Sequence, residues 1–204
     1  MAADGLLKQV YAHTYVRWDI EPDPVCRALA AGHCMTERLR ERTVLGRFTA
    51  AWIYGCAPAP RQLQLLVDHA RRTTALPPFT AAVLHEVQLG PAEGMDIAGV
   101  TVTTPLRTAV DIARHGTGRP AVDAVLALGT DPVLRCPLGD VRSHLESQVR
   151  LPGKAAALQC VDAALQLAAD AALGPGRARQ PARPGAGTRW CGIRRRRRRF
   201  SAPR

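Results

Sequence analysis

The stretch TVTTPLRTAVDIAR, residues 101–114, constrains this chain more than any other. A strand ends at Thr103, Thr104 stands where a side-chain oxygen caps a helix, and Pro105 takes the first helical position, where its missing N–H costs nothing. Leu106, Ala109, Val110 and Ala113 recur at i, i+3, i+4 and i+7, which predicts an apolar stripe laid on a sheet. Arg107 and Asp111 lie one helical turn apart beside that stripe. Exposed, such a pair contributes a few tenths of a kcal/mol; half-buried, it locks helix to sheet, and loss of one partner costs several kcal/mol. Neither a nucleophile nor a second acid stands near it in the sequence, so the pair reads as structural and not catalytic.

Upstream, VYAHTYVRW predicts an edge strand with Tyr11, His13 and Tyr15 on one face, stopped by EPDP at 21–24. Residues 24–42 predict a helix interrupted near Gly32, with Arg38, Arg40 and Arg42 alternating with Glu37 and Glu41 on a solvated face. In VLGRFTAAWIYGCAPAP, Thr49 is placed to cap a short helix through Tyr54. Gly55 supplies a left-handed exit, and Pro58 and Pro60 prevent resumption. Trp52 and Tyr54 point about 200° apart, so one is expected inward and the other at solvent or a partner. Strands are expected at 61–69 and 80–89, and a third in MDIAGVTVTTP with Gly99 at a bend or bulge. The intervening loop carries Arg71 and Arg72. Helical patterns follow at 120–128, 138–150 (Val141, Leu145, Val149) and 155–173. The expected fold is α+β: a small, mostly antiparallel sheet packed by several helices, with a helical C-terminal part.

Charge separates the chain into parts. The net charge is +11, but residues 174–204 hold eleven arginines and no acidic residue, while residues 1–173 balance 17 Lys and Arg against 17 Asp and Glu. The tail, rich in Gly, Pro and Arg, is expected to be disordered because it lacks apolar surface to offset ordering entropy. Its run Arg194, Arg195, Arg196, Arg197, Arg198 and Arg199 would bind nucleic acid by counterion release without sequence preference, as Arg71 and Arg72 could in the body. A compositional or frameshift origin in a GC-rich genome is the competing reading, since 26 arginines stand against two lysines. The expected organisation is therefore an N-terminal segment 1–23, a domain 24–173 and a tail 174–204.

Other chemistry is expected to be absent. The six cysteines show no paired metal-ligand spacing, and the six histidines lack motif companions; His85 is assigned to a strand edge and His115 to a helix exit. No nucleophile elbow, P-loop or dinucleotide fingerprint occurs. No catalytic residue, metal, cofactor or small-molecule substrate is predicted. Without a secretory signal or a run of about 18 apolar residues, a cytoplasmic protein with no membrane partner is expected.

Thr49-Ala50-Ala51 with Gly55, then Gly99, Val102, Thr103, Pro105, Arg107, Thr108 and Asp111 match a pattern: a T/S-A-A-x-x-x-G helix, a pair of strands, and G-x-x-V-T-x-P-x-R-T-x-x-D. In this the chain resembles the AbiEi-type antitoxin family of type IV toxin–antitoxin systems over roughly residues 25–170. The resemblance implies a non-enzymatic antitoxin or antitoxin-like transcriptional regulator, with a nucleotidyltransferase toxin and promoter DNA as partners. It also implies that residues 1–23 are the last wing strands of a winged helix, without its recognition helix. The alternative is a truncated scaffold once fused to a restriction-type endonuclease domain.

Overall fold

The computed structural model describes residues 5–69, 75–78 and 80–173. Arg71, Arg72, the arginine run 194–199 and the expected disordered tail all lie outside the described residues. Within them the fold is α+β. A five-stranded mixed sheet and a separate two-stranded sheet are packed by helices, which make up the whole C-terminal part.

The chain opens with a hairpin where one strand was expected. β1 (Leu7–Tyr11) and β2 (Thr14–Arg17) pair antiparallel, and Ala12, at φ 45°, turns the chain between Tyr11 and Thr14. Tyr11 packs on Trp52 with ring centroids 5.1 Å apart. Then α1 (Pro24–His33) and α2 (Glu37–Arg42) form on either side of the predicted interruption. Asp23 caps α1 by accepting from the Cys26 N–H at 2.7 Å, and Thr36 caps α2.

β3 (Thr43–Leu45) runs through Gly46 into α3 (Arg47–Ile53). Gly46 is required there, because a Cβ would meet Leu66 Cδ1 at 2.5 Å. The helix therefore starts before Thr49, which is not its cap. The buried Thr49 hydroxyl instead accepts from the Gln64 N–H at 2.8 Å and ties the helix to a strand. Gly55 supplies the left-handed exit at φ 83°. Trp52 and Tyr54 are both buried, against the expectation that one would border solvent. α3 is covered on several sides, by α1, the sheet and the helices that follow, so opposite faces both find partners.

β4 (Leu63–Asp68), β5 (Ala82–Val87), β6 (Gly94–Ile97) and β7 (Val100–Thr103) complete the sheet, in the order β5-β4-β3-β7-β6. Of the five strand pairings in the two sheets, three are antiparallel; β3–β7 and β4–β5 are parallel. Residues 69–81 are long enough for the crossover that a parallel neighbour needs. MDIAGVTVTTP is a hairpin and not a single bent strand. Ala98 and Gly99 both take left-handed φ, 53° and 84°, the twist that suits a two-residue turn.

α4 (Pro105–His115), α5 (Gly118–Thr130), α6 (Leu138–Ser147) and α7 (Lys154–Leu173) form the helical part. α4 is its hub, packed by α3, α5, α6 and α7, so its apolar stripe faces helices where a sheet was expected. Val149 lies beyond the end of α6 and is exposed. α7 is long and apolar enough to cross a membrane by length and composition, at mean hydropathy 1.2, and it packs on α4, α5 and α6.

Candidate functional site

The R-T-x-x-D motif gathers around the start of α4. The Thr104 hydroxyl accepts from the Arg107 N–H at 3.4 Å, and Pro105 fills the first helical position as expected. One turn on, the buried Thr108 hydroxyl lies 2.7 Å from that of Thr103 and reaches the Thr104 carbonyl at 2.8 Å. The Tyr54 hydroxyl donates to the Thr103 carbonyl, so α3 and α4 meet at the end of β7. Burial pushes the Tyr54 pKa well up, which keeps the hydroxyl a donor.

Arg107 and Asp111 pair as expected, Nε to Oδ2 at 2.9 Å, with side chains 12% and 1% exposed. The guanidinium also donates to Glu93 at 2.5 Å and to the Gln88 carbonyl at 3.1 Å. Burial opposes its charge, but Asp111 and Glu93 outweigh burial and hold its pKa above the ordinary value. The pair thus fastens α4 to the connection between β5 and β6, where the sequence suggested the sheet. Glu93 is the second acid that the local sequence did not reveal. It sits 14 residues before Arg107, at no helical spacing, and it also accepts from the Gly90 N–H at 2.6 Å.

The other side of Asp111 is different. Its Oδ1 is buried without a hydrogen-bond partner, and so are Arg47 Nε and His85 Nε2. Arg47 makes no side-chain hydrogen bond or ion pair among the described residues. Burial pushes its pKa down, countered by the charge of Asp111. It is also the first residue of α3 and holds φ at 51°, in the left-handed region that non-glycine residues rarely adopt. Burial and the Arg47 charge together lower the His85 pKa; His115, exposed at the end of α4, is lowered by partial burial, then by Arg47 and Arg114. These four groups therefore sense one another's charge. The histidines occupy the strand edge and helix exit predicted for them, but nothing in their spacing announced that they share an environment with Arg47.

His85 also lines a groove of about 430 Å³. Phe48, Gln64 and Val83 line it beside His85, with Pro58 and Arg61 from the loop after α3. On β5, Val83 and His85 pair with Gln64 and Leu66 of β4, so the groove lies over that face at the sheet's β5 edge. The Gln64 side-chain oxygen Oε1 accepts from the Phe48 N–H at 2.9 Å and fixes the start of α3 against it.

Two further features bear on what the surface can do. Of ten exposed large hydrophobic residues among those described, six fall within residues 6–29: Leu6, Tyr15, Trp18, Ile20, Val25 and Leu29. Val25 and Leu29 are one turn apart on α1, and the Trp18 N–H bonds the Leu6 carbonyl at 3.1 Å. Cys136, by contrast, is a buried thiol whose pKa burial raises to about 11, which leaves it unreactive near neutrality. Neither a protein-family model nor a curated protein matches the chain.

Proposed function

We propose that this chain is an antitoxin-like, non-enzymatic binding protein of the AbiEi type, acting through protein contact on a nucleotidyltransferase partner. The observation that carries the reading is the concentration of exposed apolar side chains on the N-terminal hairpin and α1, led by Trp18 and Leu29. Large apolar residues clustered on a surface mark interaction faces, and a tryptophan anchor is the residue type most enriched at interface hot spots. The Arg107–Asp111 pair supports the same reading as a fastening. Its carboxylate is 1% exposed and one oxygen is already committed to the guanidinium, so it serves the scaffold that presents the face.

Co-expression with any nucleotidyltransferase that a neighbouring gene encodes tests this, and the lack of such a neighbour counts against it. The two proteins are expected to co-purify, and the chain to relieve the enzyme's toxicity. Trp18→Glu combined with Leu29→Glu is expected to release the enzyme while far-UV circular dichroism stays unchanged. Failure to co-purify and failure to relieve toxicity would together overturn the reading.

A further inference from the structure

Given the docking reading above, on which this depends, we infer that the surface of residues 6–29 takes a protein patch that is itself apolar and without net charge, and that it is not a nucleic-acid surface. The charges of the segment are few and already engaged. With His13 counted as neutral, residues 6–29 hold three cations, Lys8, Arg17 and Arg27, against three carboxylates, Asp19, Glu21 and Asp23. Lys8 Nζ donates to Glu21 Oε2 at 2.6 Å, and Arg17 Nε donates to Asp19 Oδ1 at 2.8 Å. Asp23 caps α1. Arg27 lies two residues from both Val25 and Leu29, on the other side of that helix, and its Nη1 stands 2.9 Å from where a Cβ on Gly55 would be. The whole chain carries +11, yet this surface balances to zero.

That balance selects the partner. Exposed ion pairs such as these contribute little to stability, but they cancel the field of the surface that bears them. A partner charge brought against Trp18 or Leu29 would lose its water and meet no opposite charge in return, the cost that leaves the centres of protein interfaces poor in charged residues. An apolar patch meets no such cost. Leu6 and Trp18 stand side by side where the hairpin opens, joined through the Trp18 N–H and the Leu6 carbonyl, and the Trp18 side chain is the most exposed of the six. Nucleic acid asks for the opposite. A wing that holds DNA needs cations for the phosphates. Here Ala12 and His13, between the two strands, carry no such cation, and both strand cations are held by carboxylates. A phosphate that took Lys8 or Arg17 would displace Glu21 or Asp19 and then face it. With no field to steer the partner, burial of apolar area sets the affinity at this surface, and salt has little to screen.

Two titrations of the full chain test this. The first uses a DNA duplex of about 20 base pairs, which the arginine run 194–199 is expected to hold without sequence preference. The amide resonances of residues 6–29 and the Trp18 indole signal are expected to stay in place throughout. A saturable shift there would make the surface a nucleic-acid site and overturn the inference. The second uses the co-purified nucleotidyltransferase, with salt raised from about 50 to about 500 mM, enough to screen exposed charges beyond a few ångströms. Trp18→Ala is expected to raise the dissociation constant about tenfold or more, the loss of an interface anchor. Ile20→Ala offers a second reading of the same surface should the Trp18 variant fold poorly. The ratio of variant to parent cancels whatever the arginine run adds, and it is expected to agree within about twofold at both salts. Lys8→Gln and Arg17→Gln are each expected to change binding by less than about twofold. A ratio that collapses toward one at high salt, or a loss at Lys8 or Arg17 as large as that at Trp18, would overturn the inference while leaving the docking reading standing. A complex indifferent to Trp18→Ala and Ile20→Ala at both salts, or no complex at all, would overturn the docking reading and this inference with it.

Discussion

The two oxygens of Asp111 face opposite conditions within one buried carboxylate. Oδ2 meets Arg107 within α4, and Arg107 in turn holds Glu93 and the Gln88 carbonyl, which joins the helix to the connection between β5 and β6. Oδ1 meets no donor, and around it Arg47 and His85 are likewise unpaired. The satisfied side rigidifies α4 against the β5–β6 connection. The unsatisfied side combines a left-handed backbone at Arg47 with buried polar atoms that lack partners, without return in stability. One residue therefore joins a satisfied contact to an unsatisfied one.

The largest expected effect falls on the fastened side. Asp111→Asn removes one of the two carboxylates that compensate a guanidinium only 12% exposed and should cost about 3 kcal/mol in urea unfolding. An unchanged midpoint would erase the distinction between the two sides. Thr108→Val sharpens the comparison at the next level. It removes the hydroxyl bonded to Thr103 and to the Thr104 carbonyl, and should cost about 1–2 kcal/mol by the same measurement.

On the unfastened side the sign reverses. Arg47→Asn relieves left-handed strain and removes a half-buried charge whose buried Nε has no partner, so stability should hold or increase by about 1 kcal/mol. A loss as large as that of Asp111→Asn would show that Arg47 belongs to the fastening. The smallest effect is the pH dependence. With its folded pKa below the ordinary 6.5, His85 binds fewer protons folded than unfolded. Stability should therefore be complete above pH 6.5 and decline as pH falls through 6.5 toward the folded value. His85→Gln should flatten that slope in a series of melting temperatures; an unaltered slope would place the titrating group elsewhere.

Much of the fastening was legible in the sequence, because its signals are local. A threonine cap, a proline at the first helical position, and an Arg–Asp pair four residues apart follow from helical geometry alone. The expected helical breaks near Gly32, found one residue on after His33, and at Gly55 rest on the same kind of signal. What escaped was set by distant packing or by backbone dihedrals. Trp52 and Tyr54 lie on opposite sides of α3, and only the tertiary arrangement shows that both sides are covered. The turns at Ala12 and Ala98 use alanine in a left-handed conformation, where glycine or asparagine would have announced a hairpin. Glu93, Arg47 and His85 belong to three segments that meet only after folding. Periodicity places each of them on an element without bringing them together.

The most direct test of the fastening is a double-mutant cycle on Arg107→Met and Asp111→Leu, read by equilibrium unfolding. Arg107→Met strands the buried Asp111 carboxylate and Asp111→Leu leaves Arg107 with Glu93 alone among its carboxylates, whereas the double variant removes both charges of that contact. The account predicts strong coupling, with the double variant losing far less stability than the two singles added together. Additive losses, or single variants as stable as the parent chain, would contradict it.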